Sequence, residues 1–159
     1  ALAGAARLAG DFGVTAEVWS VTSWSKLARD GMAWEREQRL SGPAAEAGSG
    51  QAADHPFVRR QLSPTAGPIV AVSDYVRAVP ESIRAYLPEG RRYVTLGTDG
   101  FGRSDTRAEL RAFFEVDRAA IVLAAIHSLH QAGQVPDEAL RDARTGPSID
   151  CDSQPPWLR

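Results

Sequence analysis

"GPIVAVSDYVRAVPESIRAYLPEGRRYVTLG", residues 67–97, places two short apolar runs on either side of a segment with helical spacing. The first run, "GPIVAVSD" (67–74), is continuously apolar over a strand's length and shows no alternation, which is the pattern of a parallel strand covered on both faces. The second, "YVTLG" (93–97), is β-branched and aromatic and also reads as a strand. Between them, Val76, Val79, Ile83 and Leu87 recur every three or four residues and predict a helix over 75–87, with Pro80 tolerated only near a first turn or a kink. Strand, helix, strand is the signature of a parallel pair.

Working upstream, "ALAGAARLAGDFG" reads as an opening helix with Leu2, Ala5, Ala6, Leu8 and Ala9 on one side and Gly13 as its stop, but with nothing before it to cap it. "TAEVWSV" (15–21) has strand composition and leads through Thr22 and Ser23, a good N-cap, into a helix "WSKLARDG" that continues through "MAWEREQRL". Residues 41–53, "SGPAAEAGSGQAA", are small and without apolar periodicity, and read as a flexible loop inside the domain. "HPFVRRQL" follows as a short helix. Downstream, Leu110, Phe113 and Phe114 mark a helix over 104–114, "RAAIVLAAIHSLHQAG" a longer buried one ending at Gly133, and 137–144 a last short one.

Alternating strands and helices predict an α/β three-layer sandwich, a mostly parallel sheet with helices on both faces. Three strands are few for such a sheet. Together with the bare start of the opening helix, this gives the expectation of a single domain over 1–159 that begins inside a structural unit and lacks its first strand.

The chain has 159 residues, 18 basic and 20 acidic, so no field of one sign draws in nucleic acid or an anionic membrane. "RRQ" (59–61) and "GRR" (90–92) are too short for a nucleic-acid patch. Cys151 is the only cysteine, which excludes a disulfide framework or a thiolate metal cluster and fits a reduced, cytoplasmic compartment. No apolar run reaches the roughly 18 residues of a membrane span, and the start has no basic region ahead of an apolar core. A soluble, unexported protein with no membrane and no nucleic-acid partner is expected.

In open α/β sheets ligands gather beyond the carboxyl ends of the strands. "GTDGFGRSD" (97–105) lies there, and its glycines raise the question of a phosphate cradle at a helix N-terminus, with Ser104 or Asp105 as cap. The spacing is neither GxGxxG nor GxxxxGK[ST], no lysine follows, Arg103 is the only cation, and Asp99 and Asp105 repel an anion. The competing reading is a strand-to-helix connection in which Gly97, Gly100 and Gly102 take positive φ. Asp74 and Asp99, on neighbouring loops, are candidates for acid/base work or Mg²⁺ binding, set against ordinary turn and cap aspartates. His127 and His130, at i and i+3, suit a metal only with a third ligand from elsewhere, and the expectation is one near the buried edge and one exposed. Phe101, flanked by glycines, is an aromatic that packs onto something, another domain or subunit. No nucleophile elbow and no Cys/His pair supports nucleophilic catalysis.

"VTSWSKLARDG" (21–31), "PIVAVSDYVRAVPESIRAYLP" (68–88), "TLGTDGFGRSDTR" (95–107), "FFEVD" (113–117) and the tail "IDCDSQPP" resemble, in collinear order over nearly the whole chain, the C-terminal part of the homodimeric pyruvate dehydrogenase family. The resemblance implies a transketolase-like C-terminal domain, a parallel-rich sheet with one antiparallel strand, preceded in that family by a first strand with a Gly-Ser-Gly loop. It implies a parent enzyme that decarboxylates pyruvate on thiamine diphosphate with Mg²⁺ and passes the acetyl group to the lipoyl domain of dihydrolipoyl acetyltransferase. The family's metal and diphosphate motif, catalytic histidines and glutamate have no match here, so no catalytic, cofactor or metal residue is carried over. The segment 41–53 departs from the family's usual pattern.

The resulting expectation is a non-catalytic domain that serves domain packing, dimer contacts and complex docking, with Asp74, Asp99, Phe101, Arg103 and Asp105 as contact residues, and no turnover by the isolated chain. The alternative is a stand-alone regulatory α/β domain that binds a small molecule or nucleotide at 22–24, 73–75 and 97–105; a third reading is a degenerate product with no function of its own. A sheet short of one strand exposes an unpaired edge, which predicts marginal stability or self-association.

Overall fold

Four consecutive residues, Ile69–Val72, divide the molecule's two cores between them. In the computed structural model, which describes residues 1–41, 55–146 and 148–159, they form β1 and pair in parallel with β2 (Tyr93–Leu96), in the register Ile69 to Tyr93 and Val72 to Leu96. Successive strand residues point to opposite faces. Val70 packs into a cluster of Leu8, Val122, Ala125, Ile126, Leu129, Leu140 and Ala143. Ile69 and Ala71 join Ala28, Val58, Ile83, Tyr86, Leu87 and Tyr93 on the other side. The result is an α/β arrangement with helices on both faces of the sheet.

The first face is covered by α1 (Leu2–Phe12), α6 (Arg118–Gln131) and α7 (Asp137–Arg144). Val122 and Ile126 of α6 are fully buried, each contributing on the order of 1.5–3 kcal/mol of apolar burial. Gly13 closes α1 at φ 64°, and the Val14 N–H then reaches back to Leu8 O at 3.0 Å, satisfying a carbonyl the helix end would leave free. Asp117 caps α6 by accepting from the Ala120 N–H at 2.9 Å. The second face is covered by α2 (Trp24–Ser41) and α3 (Phe57–Leu62). Ser23 Oγ accepts from the Lys26 N–H at 3.2 Å at the start of α2, and Asp30 holds the Phe57 N–H at 2.7 Å, tying α3 to α2.

Three expectations are corrected. Residues 15–21 are not a strand: among the described residues the sheet has two strands, both parallel, and Val18, Trp19 and Val21 are exposed. Their composition favours extended backbone, but no neighbouring strand completes a ladder there. Residues 75–87 are not one helix. They form a single turn, α4 (Ala78–Glu81), and a 3-10 turn at Arg84–Tyr86 that ends at Leu87 in extended backbone (φ −78°, ψ 163°), with Pro80 fitting only the first turn. The helix expected from 104 is α5 (Arg107–Phe113), capped by Thr106, whose side chain accepts from the Glu109 N–H at 3.3 Å, and not by Ser104 or Asp105.

Of the expected flexible loop, residues 42–53 lie outside the described residues, and Ser41 ends α2. Among the described residues no helix is long and apolar enough to cross a membrane.

The two short basic stretches are engaged internally. Arg91 donates to Gly67 O and Leu62 O, each at 2.7 Å, stapling the chain before β1 to the chain before β2. Arg92 bonds Gln131 at 2.7 Å, Arg59 meets Glu89 at 3.5 Å, and Arg60 donates to His55 O at 2.8 Å.

Candidate functional site

At the carboxyl end of the sheet three segments meet: the chain after β1 (73–77), the glycine-rich chain after β2 (97–103) and the 3-10 turn Pro156–Leu158 of the tail. Their junction is made by close backbone approach. A Cβ on Gly97 would sit 2.6 Å from Tyr75 O and 2.8 Å from Arg77 N, distances only glycine permits. The Thr98 N–H donates to Tyr75 O at 3.0 Å and Thr98 Oγ1 to Asp74 O at 2.9 Å. Gly100, at φ 108°, lies with its Cβ position 3.0 Å from Trp157 Cα. Of the three glycines expected at positive φ, Gly100 alone takes it; Gly97 is needed for contact and Gly102 has open space around it.

Asp74 and Asp99 do not form a carboxylate pair. The Asp99 carboxylate accepts the Arg77 backbone N–H at 3.0 Å and the Arg77 Nε–H. Asp74 is exposed and contributes its carbonyl. The Arg77 guanidinium lies 5.0 Å from the Trp157 ring centroid. Asp99 is therefore a staple between two loops.

Neither does the loop cradle a phosphate. The Thr98 N–H is taken by a carbonyl, Asp99 engages the Arg77 guanidinium that an anion would need, and Asp105 spends its carboxylate on the Thr106 N–H at 2.8 Å. Arg103 turns away from the glycines, 4.5 Å over the Phe113 ring, with Asp105 at 3.9 Å. Arg103, Asp105, Glu109, Phe113 and Arg159 line a cavity of about 240 Å³. Phe101, by contrast, projects into solvent, 89% exposed.

The histidines separate as expected. His127 is exposed, and the half-buried His130 bonds Asp137 across α6 and α7 at 2.6 Å, holding that carboxyl below its usual pKa. Among the described residues no group of three or more His, Cys, Asp or Glu is placed to hold a metal ion.

A polar cluster beneath the strand ends escaped sequence reasoning. Glu81 of α4 accepts from Arg84 at 2.5 and 2.7 Å and from Thr95 Oγ1 of β2 at 2.5 Å. The Arg84 hydrogen bonds, more than the opposing desolvation, hold its carboxyl below the usual glutamate range. Arg84 also stacks 4.8 Å from the Tyr93 ring, whose buried hydroxyl donates to Pro80 O at 2.7 Å and is pushed well above its ordinary pKa by desolvation. Arg77 and Trp157 were missed as well, since nothing local marks an arginine that reaches across to the tail. The one available signal was that Arg77 follows 73–75, a segment already placed at a strand end; Trp157 carried none.

At this end of the sheet the described residues thus offer an aromatic-bearing surface on which Asp99 and Asp105 are engaged in hydrogen bonds within the chain. The family described as the transketolase-like C-terminal domain matches residues 1–117, from α1 to the cap of α6. The pyruvate dehydrogenase E1 component of Mycolicibacterium smegmatis is 47% identical over 135 residues, 85% of this chain and 14% of that protein. That of Pseudomonas aeruginosa is 42% identical over 149 residues, 94% of this chain and 16% of that protein. That of Escherichia coli K12 is 39% identical over 154 residues, 95% of this chain and 16% of that protein. The chain spans roughly a seventh to a sixth of the length of these relatives.

Proposed function

The chain belongs to the family of transketolase-like C-terminal domains, and on that premise we propose that it is the C-terminal domain of a pyruvate dehydrogenase E1 component. The observation that carries this is 39–47% identity to E1 components over 85–95% of the chain. The parent is a thiamine diphosphate- and Mg²⁺-dependent, homodimeric, cytoplasmic enzyme that decarboxylates pyruvate and transfers the acetyl group to the lipoyl group of dihydrolipoyl acetyltransferase.

The glycine-rich loop does not fit the cofactor's diphosphate. In the 97–103 loop the Thr98 amide is bonded to Tyr75 O and the Asp99 carboxylate to Arg77, so the loop's first amide and the neighbouring cation are both already engaged and are not offered to a diphosphate. We therefore place the cofactor in the remainder of the parent and assign this domain a structural role: domain packing and support of the dimer and the complex. Calorimetric titration of the purified chain with thiamine diphosphate and Mg²⁺ tests this division of labour. No saturable heat is expected; stoichiometric binding refutes it.

A further inference from the structure

We propose that Tyr75, Val76, Phe101, Trp157 and Leu158 form the face by which this domain seats against the remaining polypeptide of its parent enzyme, with the Phe101 ring as the anchor that enters an apolar pocket there. This rests on the reading of the chain as one domain of a longer enzyme.

The five side chains are 69%, 46%, 89%, 47% and 67% exposed, and they belong to the three segments that meet at the carboxyl end of the sheet. An exposed apolar residue by itself is ordinary; five on three adjoining segments, three of them aromatic, mark an interaction surface. Its segments are tied to one another by contacts within the chain. Gly97 and Gly100 let the loop touch Tyr75 and Trp157, Asp99 is bonded to Arg77, and Arg77 stacks on Trp157. Segments tied together in this way lower the ordering cost of an interface, and aromatic anchors on such supports carry most of its energy. The charges inside the face already neutralise each other, so its complement is apolar.

Size selects the occupant. With about 150–250 Å² available to a whole aromatic side chain, the face offers on the order of 500 Å², or about 1,000 Å² counting both partners. That falls within the roughly 600–1,500 Å² of interfaces between domains of one chain, and short of the roughly 1,600 Å² of freely associating proteins. Such an interface holds because a shared polypeptide supplies a high effective concentration. The relatives carry about 84–86% of their length outside the matched region, which supplies that polypeptide.

The test replaces the matched stretch of the M. smegmatis E1 component with this chain and compares backbone amide exchange over residues 97–103 in the chimera and in the isolated chain. Exchange at least tenfold slower in the chimera is expected, with the slowing abolished by Phe101→Asp and largely kept by Phe101→Leu. An active chimera with unchanged exchange, or with slowing indifferent to Phe101→Asp, overturns the proposal while leaving the parent assignment standing. A wild-type chimera that neither assembles nor turns over pyruvate removes the parent assignment, and this proposal with it. The wild-type comparison decides the matter even where Phe101→Asp prevents folding. Dimerisation of the isolated chain that Phe101→Asp abolishes also overturns it, in favour of a second copy.

Discussion

Asp99 and Arg77, one after each strand, are joined twice: the Asp99 carboxylate accepts both the backbone N–H of Arg77, at 3.0 Å, and its guanidinium. The side chains are 23% and 45% exposed, so the ionic part is screened and the bond to the backbone amide carries more of the effect. Asp99→Ala is expected to cost about 1–2 kcal/mol. Asp99→Asn, which keeps an acceptor for the amide, should cost less than half of that. Urea unfolding of both variants checks the order.

Gly97 and Gly102 differ in what surrounds them, and the difference is measurable. Gly97→Ala drives a methyl into the Tyr75 carbonyl and the Arg77 amide, backbone atoms that cannot rotate away, and should destabilise by about 2 kcal/mol or more. Gly102→Ala meets nothing within 4 Å and φ is not positive there, so its midpoint should stay near wild type. Paired thermal denaturation distinguishes close approach from generic loop flexibility.

Stability should fall on acidification through Glu81. Its folded-state carboxyl titrates below its unfolded value, chiefly because Arg84 donates to it. The stabilisation is therefore fully present above the unfolded glutamate value of about 4.3 and is lost as pH falls through the lower folded one. Glu81→Gln should be less stable than wild type at neutral pH, with the gap closing as pH falls through that window. Chemical denaturation at a series of pH values gives the comparison.

Core and loops differed in how far they could be read from sequence. Ile69–Val72 and the apolar α6 announced themselves because a two-faced sheet and a buried helix need apolar runs, and Tyr93–Leu96 did so by its β-branched and aromatic composition. Residues 15–21 carry the same local composition, but a strand exists only with a partner, and composition does not reveal one. Pro80 signalled a break in 75–87 whose place depended on how Ile83, Tyr86 and Leu87 pack against α2. Phe101 stood out in the sequence for its glycine neighbours, and the structure leaves its ring exposed. Arg77 and Trp157 did not stand out, because their roles arise from contacts between segments distant in the chain.

The same packing logic covers Gly31, where a Cβ would fall 2.2 Å from the Tyr86 ring. Gly31→Ala must displace that ring from the core between α2 and the 3-10 turn, at a cost of about 1–3 kcal/mol. A lowered unfolding midpoint with altered Tyr86 ring resonances by NMR is expected.

The central claim is that this chain is the C-terminal domain of an E1-type enzyme. The most direct measurement is pyruvate-dependent acetyl transfer by the M. smegmatis E1 component whose matched stretch has been replaced by residues 1–159. The account predicts an assembled enzyme with turnover within about tenfold of the parent, a loss of no more than about 1.4 kcal/mol in barrier. A correctly folded domain in an enzyme that neither assembles nor turns over would contradict it.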